Sequence, residues 1–474
     1  MSEIHDTKDS WTAVSWLVWG IGLWVLSIWV RLGYFPFVQI TSDTLSPFVG
    51  AARWWNTGWF GAANPESDQW LWIVSTPILW AADSLSDLFW WKCIATTIVI
   101  PCACWMVTHF VDRHQWLWMA VVSSILTLDM GLVDTMLSSF RGYWAPECMA
   151  VATIGLILWQ QGKLWGAHLT TVATIVAMGQ HPLVLGTVPA LIWLWYTQYQ
   201  RAELWKWSIG LALVFSLPRV FWVYQLLQCD AGGLACLVDV AVSSSEDGSS
   251  LLSMIGLVLH DRLWIEMGFA SVVMMFGWWH SENTELKYWV ILSALGILLL
   301  GVSISTLRPY HFRVLIVPMF ILSVEGLSRL RSSGISLGCL WIALVIIHRI
   351  EPVPWYSDVE QTDEAASVLC QQTEPVWLEG FGSKLTISPQ SIGVSMVAQG
   401  CSVPISNRPT KTIWLIQRTQ EVESLPDGEV MWVGETHQLR RVAWQDWTEL
   451  SMRYKWSGHD VASLFISETD IHLQ

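Results

Sequence analysis

Apolar runs separated by short polar connectors fill the chain from Trp11 to about Ile350. About eleven of them approach the roughly 20 residues that a helix needs to cross a bilayer. They fall near 11–30, 90–111, 116–135, 144–160, 164–179, 182–198, 206–224, 263–279, 287–304, 311–328 and 335–350. This pattern predicts a polytopic α-helical membrane protein. The first run, Val14 to Val30, is long enough to span and no small-residue cleavage site follows it, so it is expected to be an uncleaved helix. Trp70 to Ala82 is apolar but short and ends in Asp83-Ser84-Leu85-Ser86-Asp87, which predicts an interfacial or re-entrant helix.

After Glu351 the pattern changes. Glu351-Pro352-Val353-Pro354 has the composition of a linker. Short strand-like runs follow at 375–380, 412–416, 430–433, 441–444 and 462–466, with helical patterns at 363–370 and 391–399. The expectation is a transmembrane domain over residues 1–350 and a small soluble α/β domain over 351–474. About 120 residues is an ordinary domain size.

Composition agrees with this division. The 474 residues are 53% hydrophobic and 14% charged, where a soluble chain carries about 25% charged residues. Many of the 36 tryptophans stand at the ends of apolar runs, where amphipathic rings settle at a lipid–water boundary. The net charge of −14 excludes the basic footprint that nucleic acid requires. With the N-terminus inside, the inner loops carry Arg113, Lys163, Arg201, Lys206, Lys287, Arg329 and Arg331, as the positive-inside rule asks. The segment 31–89 is then the first large outer loop, and the terminal domain is extracytoplasmic. The expected location is a bacterial inner membrane, with the site facing the periplasm or cell exterior.

Nine cysteines are present. Five fall in apolar helices, where Cys acts as a small hydrophobe. Cys229 and Cys236 share one outer loop, and Cys370 and Cys401 share the terminal domain. These four are either two local disulfides of an oxidising compartment or free thiols.

Ionisable groups near hydrocarbon are costly and mark function by default. Here they gather on one predicted side: Asp129, Asp134, Arg141, Glu147, His181, Arg219, Glu266, Arg308, His311 and Arg313, with Tyr143 and Tyr310 among them. Glu325 alone lies toward the inner side. The one-sided set predicts an outward polar cavity. Singly, Arg313 reads as well as a snorkelling anchor, and Glu147 after Pro146 reads as well as a first-turn carboxylate. In the first outer loop, Ser46 suits an N-cap, Pro47 a first helical position and Gly58 a stop. Phe48, Ala51, Ala52 and Trp55 then form one apolar face of a helix over 46–57, with Asp43 just ahead of it. Locally Asp43 is a turn or capping residue.

The layout resembles the GT-C class of polyprenyl-phosphate-sugar-dependent glycosyltransferases, which includes the protein O-mannosyltransferases and the lipid A aminoarabinose transferase. The resemblance lies in Ser42-Asp43-Thr44-Leu45-Ser46-Pro47 leading into Gly50-Ala51-Ala52-Arg53-Trp54-Trp55, in Ser75-Thr76-Pro77, and in the late Arg308-Pro309-Tyr310-His311-Phe312-Arg313. It implies that a sugar moves from a polyprenyl-phosphate donor to an extracytoplasmic glycan, lipid or protein acceptor, with inversion. It also implies that Asp43 is the general base and that Arg308, Arg141 and Arg313 hold the donor phosphate. Tyr143, Glu147, His181, Tyr310 and His311 are expected to line the substrate. Many relatives pair two acids in the first loop; here the next acids are Glu66 and Asp68. One carboxylate is a poor divalent-ion site, so no cofactor is expected and a metal would need Glu66 or Asp68. Two readings from other classes fit the same composition: a transporter or flippase for a lipid-linked precursor, and a non-catalytic membrane assembly protein.

Overall fold

The computed structural model describes residues 16–32, 42–57, 69–111, 114–128, 144–180, 182–198, 202–227, 264–303, 312, 314–347, 358–381, 387–401, 412–419 and 428–443. It is mostly helical, with one small sheet near the C-terminus. A π-helical turn, Trp16–Gly20, leads into α1 (Ile21–Leu32). The first loop contributes α2 (Ser42–Thr57) and α3 (Gln69–Ala81). Then come α4 (Leu85–Thr96), α5 (Val99–Phe110), α6 (Gln115–Leu128), α7 (Ala145–Gln160) and α8 (Trp165–Met178). A 3₁₀ turn, Pro182–Thr187, opens α9 (Val188–Gln198); α10 (Ala202–Leu227), α11 (Trp264–His280), α12 (Thr284–Ser303), α13 (Ile316–Arg329) and α14 (Ser332–Ile347) complete the helical part.

Leu85–Phe110 and Thr284–Val302 have the length and apolarity to cross a membrane, and shorter apolar helices accompany them. The outward faces of α10, α11 and α12 carry exposed Leu213, Leu217, Val272, Met275, Trp279 and Leu299. Water would not tolerate so many large apolar side chains, whereas a hydrocarbon solvent would.

The run predicted over 90–111 begins earlier, at Leu85, and is broken. Pro101 has no N–H for the Thr97 carbonyl. The chain therefore turns at Thr97–Ile98, and that carbonyl accepts the Ile100 N–H instead, at 2.9 Å. Trp24 Nε1 on α1 donates to Thr97 Oγ1 at 2.8 Å and fixes the turn against its neighbour.

Among the described residues, three helix crossings bring backbone against backbone at pairs of glycines. A Cβ on Gly166 of α8 would overlap the carbonyl oxygen of Gly155 on α7. A Cβ on Gly326 of α13 would overlap the carbonyl oxygen of Gly277 on α11, and a Cβ on Gly296 of α12 would overlap that of Gly186 in the 3₁₀ turn. Only glycine allows so close an approach. A continuous buried core runs through α5–α9 and α11–α14, with Trp118, Trp289, Phe320 and Trp341 among its largest members.

The terminal domain has α15 (Asp358–Cys370), β1 (Leu378–Phe381), α16 (Pro389–Ala398), β2 (Thr412–Arg418), β3 (Gly428–Val433) and β4 (His437–Ala443). The sheet order is β1-β2-β4-β3. Strands β1 and β2 are parallel, with α16 in the connection between them, and the other two pairings are antiparallel. Trp414 and Ile416 of β2 and Leu439 of β4 pack with Ala365, Leu369, Ile392 and Met396 of the two helices. Cys370 and Cys401 form a disulfide, with Cα atoms 5.3 Å apart.

This domain rests on the first loop. Val359 of α15 and Val394 of α16 enter one buried cluster with Leu45, Phe48, Ala51 and Ala52 of α2 and Leu85, Leu88 and Phe89 of α4. The Asp363 carboxylate accepts the Leu85 N–H at 2.7 Å and the Ser86 N–H at 3.0 Å. Ser84 Oγ accepts the Asp87 N–H at 3.0 Å, and the Ser84 carbonyl accepts the Leu88 N–H at 3.0 Å. The N–H groups from Leu85 to Leu88, which a helix start would otherwise leave in want of partners, are therefore all satisfied.

Candidate functional site

The first-loop helix α2 starts at Ser42, not at Ser46. Asp43 thus lies in its first turn, and Pro47 lies inside it. Pro47 is buried and supplies no N–H to the Asp43 carbonyl. A first-turn carboxylate is favoured by the positive end of the helix dipole. The apolar face also differs from expectation at one position. Phe48, Ala51 and Ala52 are buried with Leu45, but Trp55 points outward and meets Trp80 of α3 edge-on, ring centres 4.8 Å apart.

Beneath α2 lies a set of buried charges. Lys92 of α4 is 2% exposed. Its ammonium sits 5.9 Å from the ring centre of Phe48 and 5.8 Å from that of Phe89, at the outer limit of cation–π attraction. Arg31, at the end of α1, is fully buried. Its guanidinium donates to the Leu126 carbonyl at 2.6 Å and to Thr96 Oγ1 at 3.4 Å, so it joins α1, α4 and α6. Glu147, in the first turn of α7, is 6% exposed, and among the described residues neither carboxylate oxygen has a hydrogen-bond partner from another residue. The charges of Arg31 and Lys92 both act on it. The helix start that carries it is held by Trp144, whose Nε1 donates to Ser75 Oγ of α3 at 3.1 Å. A lysine almost never lies inside unless it is paired. Two cations and one acid here share a low-dielectric space, where each acts on the others far more strongly than in water.

Of the residues expected from sequence, the structure brings Glu147 into this cluster and places the backbone of Asp43 on the helix above it. Asp43 precedes Phe48 by five residues, about 7.5 Å along the helix axis. Glu66, Asp68, Arg141, Tyr143, His181, Cys229, Cys236, Arg308, Tyr310, His311 and Arg313 lie outside the described residues, as do Asp129 and Asp134. Arg219 serves the scaffold, since it donates to the Met178 carbonyl at 2.9 Å and closes α8. Glu325 also sits in a structural network. It accepts from Ser281 Oγ, from the Glu282 N–H at 3.3 Å and from Arg329 at 3.1 Å. Beside it, Gln160 and Asn283 exchange amide hydrogen bonds at 3.1 and 3.2 Å. Among the described residues no three His, Cys, Asp or Glu side chains are grouped to hold a metal ion.

Lys92 and Arg31 are not apparent from counting spans. Lys92 stands in Leu88-Phe89-Trp90-Trp91-Lys92-Cys93, next to a pair of interface-like tryptophans, and so resembles a helix-end anchor. Its signal is the apolar run on both sides: a cation that cannot reach water within one turn needs a partner.

No family model and no curated protein matches the sequence. Similar solved structures are found. The crystal structure of ArnT from Cupriavidus metallidurans bound to undecaprenyl phosphate aligns with 90% of this chain and 97% of its own, at 10% identity and a TM-score of 0.56. That of ArnT from Cupriavidus metallidurans in the apo state aligns with 90% of this chain and 98% of its own, at 12% identity and a TM-score of 0.43. The first of these carries the likeness, and at such identity the likeness is one of fold. The layout read from the sequence and the three-dimensional arrangement therefore agree: the chain has the fold of ArnT.

Proposed function

We propose that this chain is a membrane glycosyltransferase that moves a sugar from a polyprenyl-phosphate donor to an extracytoplasmic acceptor. The observation that carries the reading is the buried Arg31–Lys92–Glu147 cluster under the helix that bears Asp43, in a fold shared with a protein crystallised with undecaprenyl phosphate. Lys92 meets the donor phosphate. Its ammonium is already desolvated, so a phosphate oxygen gains a charge-assisted bond without stripping a hydration shell from the protein side. The phosphate is the leaving group, and a cation there stabilises the charge that grows as the glycosidic C–O bond breaks. Arg31 is held by backbone and hydroxyl oxygens and adds positive field from below. Glu147 offsets the repulsion between the two cations before the donor arrives.

Asp43 takes the proton of the acceptor hydroxyl or amine as that group attacks the anomeric carbon. A single displacement inverts the configuration. Arg308, Arg141 and Arg313 are further phosphate contacts in this proposal, with Tyr143, His181, Tyr310 and His311 around the sugar. The reaction runs at the extracytoplasmic face without a metal cofactor.

The test is Asp43→Asn in purified protein reconstituted in lipid, assayed against a panel of labelled polyprenyl-phosphate sugars. Transfer should vanish while donor binding and expression persist. Undiminished transfer by this variant would remove Asp43 from the mechanism.

A further inference from the structure

We infer that Asp363 of the terminal domain is a positioning residue: through the first turn of α4 it sets where Lys92 presents its ammonium. This rests on the proposed role of Lys92.

The observations form one connected path. Leu85, Leu88, Phe89 and Lys92 recur at helical spacing on α4, and all four are buried. Lys92 therefore lies about 10.5 Å along the axis from the residue whose N–H Asp363 holds. The carboxylate grips two successive N–H groups, Leu85 at 2.7 Å and Ser86 at 3.0 Å. A two-point grip fixes the rotation of the helix as well as its height, and rotation decides where a side chain two turns away points.

Asp363 is itself fixed. Its Oδ1 also accepts from Ser395 Oγ of α16. Its carbonyl accepts from Gln399 Nε2 at 3.1 Å and from Ser367 Oγ at 2.8 Å. Gln399 Oε1 accepts from Ser367 Oγ at 3.1 Å, and the Cys370–Cys401 disulfide joins the far ends of α15 and α16. The terminal domain also packs in the cluster that holds the two rings near this ammonium: Val359 and Val394 lie there with Phe48 and Phe89. The terminal domain thus touches both the axis of α4 and the aromatic walls of the lysine's site. A helix that needed only a cap had Ser84 for the purpose; the carboxylate from a distant domain adds orientation.

The test uses the full chain in lipid nanodiscs with Asp363→Ala, Asp363→Asn and Lys92→Met. Kinetics are measured by varying donor and acceptor separately, and amide exchange is followed at Leu85 and Ser86. Asp363→Ala should lower kcat/KM for the polyprenyl-phosphate donor about five- to tenfold, leave the acceptor KM unchanged, and speed exchange at both amides. Asp363→Asn keeps one acceptor oxygen in the same shape and should fall between; it carries the test if the alanine variant does not fold. Equal losses toward donor and acceptor, or a donor kcat/KM equal to that of the unaltered protein while Lys92→Met is inactive, would overturn the positioning role and leave the site reading standing. Full transfer by Lys92→Met would instead overturn the site reading itself.

Discussion

Gly50→Ala tests whether the corner formed by α2 and α3 controls the reaction. Gly50 lies on α2, and the Trp72 indole of α3, 1% exposed, lies against it. A methyl group at Gly50 would fall inside the contact distance of Nε1, Cδ1 and Cε2 of that ring. Carbon atoms rest about 3.5 to 4.0 Å apart, so the two helices would have to part by about 1.5 Å. The ring cannot swing away, because the overlap is with the body of a rigid, buried side chain. Alanine in a helix gains up to about 1 kcal/mol over glycine, but overpacking costs about 1–3 kcal/mol, so the clash wins. A displacement near 1 Å at a reacting group costs about a hundredfold in rate, and α2 carries Asp43. Transfer by Gly50→Ala should therefore fall about a hundredfold, with a modest loss of thermal stability. Gly22→Ala on α1 is the control: among the described residues nothing lies within 4 Å of a Cβ there. It should keep full activity and gain the stability that alanine adds to a helix. Turnover assays in nanodiscs with thermal denaturation of both variants decide the matter. Gly50→Ala within twofold of the unaltered protein would refute the coupling of this corner to catalysis.

Lys92→Met takes away one of the two cations that act on buried Glu147, so it should cost up to about 3–5 kcal/mol of stability and lose at least about a hundredfold in donor kcat/KM; a donor titration on protein shown to be folded by thermal denaturation checks this. His437 is fully buried on β4, and burial, with the Arg418 charge opposite it in register, pushes its pKa down to about 4. The native imidazole is neutral, so the unfolded chain takes up a proton first. The stability linked to this group is complete above about pH 6.5 and is lost as pH falls toward 4, to a total of about 3 kcal/mol. The thermal midpoint should drop across that window, and His437→Leu should flatten the drop; parallel curves for the two proteins would exclude His437 as the cause.

Much of the fold is legible in periodicity alone. Each apolar run of the helical part and four strand-like runs of the terminal domain correspond to elements in the structure, because length and period are set by the solvent that each face meets. The fifth strand-like run, 462–466, lies outside the described residues. Boundaries differ where a proline has the look of a helix start or breaks a continuous apolar run. Pro47 looks like a first helical residue, but the buried Leu45 and Pro47 pull the helix back to Ser42. Pro101 divides a run that hydropathy treats as continuous. The site is less legible. Glu147 stands out as an acid after a proline, but the charges of Arg31 and Lys92 that act on it come from two other helices distant in sequence, and no local pattern encodes such a meeting. The grip of Asp363 on α4 spans 278 residues and is hidden for the same reason. Trp55 has the spacing of a core residue and faces outward, since Phe48 and the two alanines already fill the space below α2.

The glycine crossings at Gly277–Gly326 and Gly186–Gly296 have a mechanical consequence. Where backbones touch, no side-chain rotamer remains to absorb a push, so α11, α12 and α13 behave as a stiff frame. The corner of α2, α3 and α4 is joined instead by aromatic rings and apolar side chains, with a turn at Thr97 between it and α5. A displacement of α2 is thus met first by rings and apolar side chains, and only beyond the turn at Thr97 by backbone set against backbone.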